Sequence, residues 1–348
     1  MSKKIRVGLV GIGRAAWGMQ CPELEERSDL FEVVASCDIL PDRNESMRQR
    51  FGDQVRGYTD IGKLALDPDV DLVSIATRSG DHVEHAKVAL ESGKHVFLEK
   101  PIGLTFEDAS RLKDYQSHAK GRLFVRHNRR FEPGFLHIRD ILASGILGDV
   151  HTIKLHRHNF VRRDDWQSIA EEGGGQLLNW GPHLIDHALH LLESEPIDVW
   201  SDLKTTVSPG SAEDQFKILI KGANGRIVDI EVSAGAAIRQ DFYNIFGSRG
   251  ALRATKKEIQ LKYLDPKQQL PKITADPATP PLGLSFHQSE AHEDFRWIEE
   301  QYKIKKKRVS DPSDIWNHLH KNLTEDVPFP ITLDQSLSVM KIIDQVRK

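Results

Sequence analysis

Residues 5–16 read Ile5-Arg6-Val7-Gly8-Leu9-Val10-Gly11-Ile12-Gly13-Arg14-Ala15-Ala16. Ile5, Val7, Leu9 and Val10 form a short apolar run suited to a strand covered on both faces, as in a parallel sheet. A G-x-G-x-x-A turn follows and opens a helix. Gly11 suits a tight turn, Gly13 leaves no side chain between backbone and a pyrophosphate, and Ala16 lets the helix lie close to the strand. The free N–H groups of Arg14 and Ala15 at the helix start would face phosphates. A glycine turn alone is a weak signal. It gains weight from Glu32–Cys37, a second strand that ends in Asp38, where this motif needs an acid for the ribose hydroxyls of NAD. Asp38 repels a 2′-phosphate, which favours NAD. Arg43, five residues on, leaves NADP open.

Working outward, the first third alternates strand and helix. A polar helix is expected over Arg43–Phe51, a strand over Val70–Thr77, and a helix over Asp81–Ser92 with Asp81 as N-cap and Gly93 as C′ residue. A strand at His95–Leu98, a helix at Thr105–Ala119 capped by Thr105 and Asp108, and a strand at Arg122–Val125 complete the pattern. Repeated βα units predict a parallel, right-handed, doubly wound sheet ending near Arg126–Phe131. A helix over Glu132–Ser144 then gives way to period-two alternation. Strands are expected at Val150–Asn159, Val199–Val207, Gln215–Lys221, Arg226–Ser233, Tyr243–Phe246 and Glu258–Tyr263, which implies an antiparallel sheet. Pro266–Pro281 reads as a loop. Glu290–Tyr302, Pro312–Leu323 and Leu333–Arg347 read as helices, and the basic run Lys303–Arg308 as a solvated helix end.

The 348 residues suit two domains, and a net charge of -3 offers no basic footprint for nucleic acid. The two cysteines, Cys21 and Cys37, make no disulfide framework, so a cytoplasmic setting is expected. The glycine-broken N-terminal run is not read as a signal peptide, and no stretch is long and apolar enough to cross a membrane.

Three stretches could carry chemistry. In Glu99-Lys100-Pro101 the lysine follows a strand at the carboxyl edge of the sheet, where doubly wound folds bind ligands. An ammonium there could stabilise a developing alkoxide. In Gly173-Gly174-Gly175-Gln176-Leu177-Leu178-Asn179-Trp180-Gly181-Pro182-His183 the triple glycine allows close approach, and Pro182 opens a helix. His183 then sits in the first turn, where the helix dipole disfavours imidazolium and leaves a base. His183, Asp186, His187 and His190 share one stripe. With no cysteine or second acidic cluster beside it, this stripe is read as a polar lining, not a metal site. Third, Arg162-Arg163-Asp164-Asp165-Trp166-Gln167 sets an indole beside hydrogen-bonding residues, a platform for a sugar ring.

Together these residues resemble the glucose–fructose oxidoreductase/inositol dehydrogenase/rhizopine-catabolism family. The likeness runs nearly end to end through Val7–Ala16, Asp38, Ile75-Ala76-Thr77 with His82, Gly93–Pro101, Asn128-Arg129-Arg130-Phe131, the run to His183 and Asp186, and Ile245–Leu252. It implies an α/β chain with a Rossmann domain, residues 1–127, and a C-terminal α+β domain, residues 128–348. The second domain would carry a large, open, mostly antiparallel sheet that joins homodimers or homotetramers. Hydride would pass between nicotinamide and a secondary alcohol of a sugar, sugar acid or polyol. The resemblance adds Thr77, His82, Glu99, Lys100 and Asn128 to the cofactor cradle, with Arg78 near its phosphates. It gives Lys100 and His183 the catalytic roles. Arg129, Arg162, Arg163, Asp165, Trp166 and Asn179 would orient the substrate. Two departures stand out. Asn179 replaces the family's Asp in D-x-x-x-H and carries no charge. Thr77-Arg78-Ser79 replaces Thr-Pro-Asn. Two rival functions remain: a glycosidase that oxidises, eliminates and re-reduces with NAD, and a sugar or nucleotide sensor on the same scaffold.

Overall fold

The computed structural model describes residues 4–272, 274, 277, 294–304 and 311–347. Two sheets organise them. The first holds six parallel strands: β1 Ile5–Val10, β2 Phe31–Cys37, β3 Arg56–Tyr58, β4 Leu72–Ile75, β5 His95–Leu98 and β6 Leu123–Val125. Their order, β3-β2-β1-β4-β5-β6, is that of a dinucleotide-binding fold. The strand order reverses between β1 and β4, so the crevice beyond their carboxyl ends is the ligand position. The short strand β3 carries no apolar run and is invisible to periodicity.

The helix after β1 departs from regularity over Ala16–Gln20, which forms a π-type turn before Cys21–Glu25 resumes the α form. The bulge turns Gln20 inward, where its side chain bonds Ser74 at 2.8 Å and Glu99 at 3.1 Å. The helix Phe106–His118 is capped as expected, with Thr105 accepting from the Asp108 amide. Asp81 caps nothing. It closes a tight turn over Ser79–Asp81, and its side chain accepts no capping bond from the helix His82–Glu91. Gly93 has φ 77°, the left-handed conformation that ends that helix.

The second sheet has eight strands: β7 Val150–His158, β8 Pro196–Lys204, β9 Gln215–Gly222, β10 Ile227–Ser233, β11 Tyr243–Gly247, β12 Gly250–Ala254, β13 Glu258–Leu264 and β14 Trp297–Lys303. It is mostly antiparallel, but β7 and β10 pair in parallel at its centre. The helix expected over Glu290–Tyr302 is a misreading. Residues 297–303 form edge strand β14, paired with β13 from Trp297↔Leu264 to Lys303↔Glu258. The glutamates suggested helix. The alternation of exposed Trp297, Glu299 and Gln301 with half-buried Ile298, Glu300 and Tyr302 is the strand period. Residues 290–293 of that reading, most of the run Lys303–Arg308 and much of Pro266–Pro281 lie outside the described residues.

The chain finally returns to the first sheet. Pro312–Asp314 and the helix Ile315–Glu325 set Trp316 edge-on to Phe31 and Phe97, with ring centroids 5.3 and 4.7 Å apart. The fully buried Trp316 therefore packs against β2 and β5, although it lies far beyond residue 127. No described helix is long and apolar enough to cross a membrane.

Candidate active site

A cleft of about 840 Å³ opens at the carboxyl ends of β1, β4 and β5. Its floor is the glycine turn. Gly11 has φ 81°, and a Cβ there would lie 2.7 Å from the Thr77 backbone, so only glycine fits. A Cβ on Gly13 would meet no protein atom within 4 Å. Protein packing does not require that glycine, whereas a ligand resting on the turn would. Ala16 is fully buried beneath the helix and does not line the cleft.

Asp38 closes one end. Its carboxylate accepts from the Ile12 amide at 2.7 Å, the Leu40 amide at 3.0 Å and Arg43 at 3.1 Å. The end of β2 is thereby pinned to the glycine turn. Gly11, Gly13, Arg14, Ala15, Asp38 and Arg43 line this end. Thr77, Arg78, His82, Glu99 and Lys100 line the middle, and Asp165, Trp166 and Asn179 the far end. The shape and donor set fit a dinucleotide laid across the switch point.

Arg14 and Arg78 also reach across the cleft. Arg14 pairs with Asp165 at 2.5 Å, Arg78 pairs with Glu172, and the Arg78 guanidinium lies 5.5 Å from the Trp166 ring centre. Asp165 is held down to about 2, mainly by its bond to Arg163 and then by Arg14. The loop expected to carry the substrate platform is thus tied over the cofactor cleft. Arg163 serves it indirectly, through Asp165 at 2.8 Å. Arg162 is outside the cleft, bonded to the Val207 carbonyl at 3.0 Å. Phe160 bridges to Gly235, which draws this stretch along the second sheet and carries Arg162 away.

Lys100 follows β5, and its ammonium donates to the Asn179 carbonyl at 2.8 Å. Burial pulls its pKa down to about 8, against Glu99 and with help from Arg129 and Arg126. His183 stands in the first turn of the helix Gly181–Leu192, buried, with Nδ1 unpartnered. Its pKa falls well below the ordinary value, through burial first and then through Lys100 and Arg129. The imidazole is neutral, as the sequence suggested, and burial with the neighbouring cations Lys100 and Arg129 keeps it so. His183 does not line the dinucleotide cleft itself, whereas Asn179 does.

Behind the pair lies Asn128–Phe131, a buried turn. Asn128 lies outside the cleft lining. Arg129 rests against Trp180, its guanidinium carbon 4.3 Å from the ring centre, and pairs with Glu132. Two further members of the stripe are held by hydrogen bonds. Asp186 accepts from Arg130 at 2.6 and 2.7 Å. His187 meets the Tyr243 hydroxyl at 2.8 Å and the Arg129 carbonyl at 3.0 Å. Among the described residues no cluster is placed to hold a metal ion.

Gln167 and Leu178, from two of the candidate stretches, also line the cleft, and sequence reasoning missed His85. His85 has a signal in hindsight, three residues after His82 on one helix face, and its Nδ1 lies 3.1 Å from the Thr77 hydroxyl. It also missed the buried relay behind Lys100. Arg126 bonds Glu99 at 2.9 Å and Glu23 at 2.6 and 2.7 Å, and Trp316 Nε1 donates to Glu23 at 2.7 Å.

Comparison with known proteins agrees with this geometry. A family model described as "Oxidoreductase family, NAD-binding Rossmann fold" matches residues 5–127, and one described as "GFO/IDH/MocA C-terminal domain" matches residues 135–253. The chain is 31% identical to the uncharacterized oxidoreductase YdgJ of Escherichia coli, over 77% of this chain and 74% of that protein. It is 28% identical to the scyllo-inositol 2-dehydrogenase (NADP(+)) IolW of Bacillus subtilis, over 73% of each. An NAD-binding protein of Listeria innocua has the same fold, with TM-score 0.79 at 24% identity over 99% of this chain and 94% of that one. The chain therefore belongs to the GFO/IDH/MocA family of NAD-binding oxidoreductases.

Proposed function

We propose that this enzyme moves a hydride between nicotinamide and a secondary alcohol or ketone of a sugar, sugar acid or polyol. The observation that carries the proposal is the seating of Lys100 on the segment that also bears His183. The ammonium is seated on the Asn179 carbonyl, and a neutral imidazole stands four residues further along the same segment. Oxidising a CH–OH carbon to C=O removes one hydride and one proton; a bound dinucleotide supplies the acceptor for the hydride. His183 accepts the hydroxyl proton, since its neutral ring has a free nitrogen lone pair. Lys100, cationic at pH 7, donates a hydrogen bond to the same oxygen as charge develops there. In reduction the roles reverse. Asn179 and Trp166 orient the ring, and the Arg14–Asp165 and Arg78–Glu172 pairs hold the covering loop.

NAD is the favoured cofactor, because Asp38 stands where a 2′-phosphate would go and keeps Arg43 engaged. The name of the inositol dehydrogenase relative supports a polyol and keeps NADP within reach. We also read the open face of the second sheet, where Trp200, Phe246 and Trp297 are exposed, as the face that meets a second copy of the chain.

The test is a panel of sugars, sugar acids, polyols and glycosides with NAD and NADP, read by nicotinamide absorbance. Net NADH from a free sugar or polyol is expected. Glycoside cleavage without net NADH would replace this reading by the hydrolase. Lys100→Met should lower turnover by on the order of a thousandfold while NADH still binds by fluorescence titration. Unchanged turnover would remove Lys100 from the mechanism.

A further inference from the structure

Two guanidiniums share one indole beside the candidate catalytic pair. The Cζ of Arg157 lies 3.3 Å from the centre of the Trp180 ring, and that of Arg129 lies 4.3 Å from it. Trp180 directly follows Asn179, and its ring centroid is 5.7 Å from that of His183. Arg157 reaches this place by the strand period. Ile153 and Leu155 on β7 point into the core, and Arg157 is the next residue on that face. A position that packing alone would fill with an aliphatic residue holds a cation.

The charges there do not balance. Arg129 pairs with Glu132, but the Arg157 guanidinium makes no hydrogen bond or ion pair with any described residue. Arg239 and Lys256 add to the same field. Burial pulls Arg157 down to about 10, and Arg129 and Arg239 push it further in that direction. Lys256 is lowered by burial and then by Arg157 and Arg129, with Glu132 opposing. Arg129 and Arg157 thus stand on one indole, with Glu132 pairing to Arg129. Two buried nitrogens nearby, Arg129 Nε and His183 Nδ1, also lack partners. Partly desolvated, mutually repelling cations are unfavourable in the free protein and become favourable once an anion is shared among them. Arginine presents a planar fork that suits a carboxylate or phosphate.

We propose that Arg157 and Arg129 form an anion subsite, and that the alcohol oxidised beside Lys100 and His183 carries a carboxylate or phosphate. The inference rests on the hydride-transfer reading and names the substrate class within it. The two guanidiniums hold the charged end of the substrate, and Trp180, with its centroid 5.7 Å from that of His183, lies between that end and the candidate base. Arg239 and Lys256 attract the anion without being required to touch it.

The test uses the full chain loaded with NADH and isothermal calorimetry on matched ligands: glucose against gluconate, glucuronate and glucose 6-phosphate, with inositol and inorganic phosphate alongside. The anionic members should bind on the order of tenfold to a hundredfold tighter than the neutral ones. Their affinity should fall with added sodium chloride, while that of the neutral members holds. The uronate and aldonate arm against the phosphate arm decides which anion is meant. Arg157→Met should bring anion affinity down to the neutral level without loss of NADH binding, and Arg157→Lys should restore part of it. A purely structural stack would lower the melting temperature and leave the anion preference intact, which overturns the proposal. So does equal binding of both classes, or no binding by any anion, phosphate included; these two outcomes are read on the wild-type chain. NADH formation from neutral sugars without anion binding sinks the subsite and spares the sugar dehydrogenase. Anion binding that is lost in Arg157→Met, with no sugar or polyol reducing NAD, does the reverse.

Discussion

The Lys100 ammonium donates its hydrogen bond to the main chain of Asn179, at 2.8 Å from the carbonyl oxygen. The lysine is aimed by backbone, so the identity of the side chain at 179 does not decide where the ammonium sits. That separates two effects a carboxylate at 179 would combine. Position comes from the turn before Gly181–Leu192, and charge balance comes from whatever side chain position 179 carries.

The first expectation follows from that separation. Burial brings Lys100 down to about 8, so the ammonium is lost as pH rises through that value. Alcohol oxidation should fall off above pH 8. Asn179→Asp adds a negative charge to the same cleft and should raise the Lys100 pKa, moving the alkaline limit upward. A kcat profile from pH 6 to 10 on both proteins checks it. An alkaline limit that does not move in the variant would contradict the assignment.

Acid should destabilise the fold through a buried histidine as the pH falls below 6.5. His127 is buried, its Nδ1 has no partner, and burial lowers its pKa to about 4 from 6.5. Its stabilising contribution is complete above pH 6.5 and is lost as pH falls toward 4, because the unfolded chain binds that proton first. The loss is up to about 3 kcal/mol for this one group. Asp186, held at about 2, adds a similar loss only below its unfolded value of 3.8. Urea midpoints between pH 7 and 4.5 should show a steep decline that His127→Gln reduces. Parallel pH dependences in the two proteins would show that His127 is not responsible.

Cofactor choice should turn on Asp38. Asp38→Ala removes the acceptor of the Ile12 and Leu40 amides and releases Arg43. The KM for NAD should rise about tenfold or more, and NADP should gain relative to NAD, since the freed guanidinium can meet a 2′-phosphate. Steady-state kinetics with both cofactors measure this. An unchanged NAD-to-NADP ratio would mean that Asp38 serves the turn and not the ribose.

Arg126 should be costly to remove. It is fully buried and joins Glu99, beside the catalytic lysine, to Glu23, which also accepts from Trp316. Arg126→Met leaves two carboxylates without their cation and should cost about 3–5 kcal/mol in equilibrium unfolding. Adding Glu99→Gln should recover part of the loss, because one uncompensated charge is then gone. Additive losses would show that Arg126 acts by packing alone.

Much of the first half was legible because its signals are local. Gly11 is required by its own φ, which the turn sets locally, whereas the Thr77 backbone that also excludes a Cβ there comes from the end of β4 and is a tertiary contact. The helix cap at Thr105 and the stop at Gly93 are likewise set within a few residues. Strand β3 was hidden because its three residues, two exposed and one half-buried, carry no period, and β14 because its glutamates imitate a helix. Lys100 and His183 were found from the turns that carry them, but neither the Asn179 carbonyl under the ammonium nor Arg157 over Trp180 has any marker in the chain.

By itself, the sequence determined the dinucleotide turn, the acid at the end of β2 and the two segments that bear the candidate catalytic groups. These depend on backbone conformation and residue spacing over short distances. Tertiary structure decided what surrounds those groups: the burial that keeps His183 neutral and lowers Lys100, the return of Trp316 to the first sheet, and the meeting of Arg129 and Arg157 on one indole. Desolvation and electrostatic coupling depend on distances in space between residues far apart in the chain, and only the packed fold sets those distances.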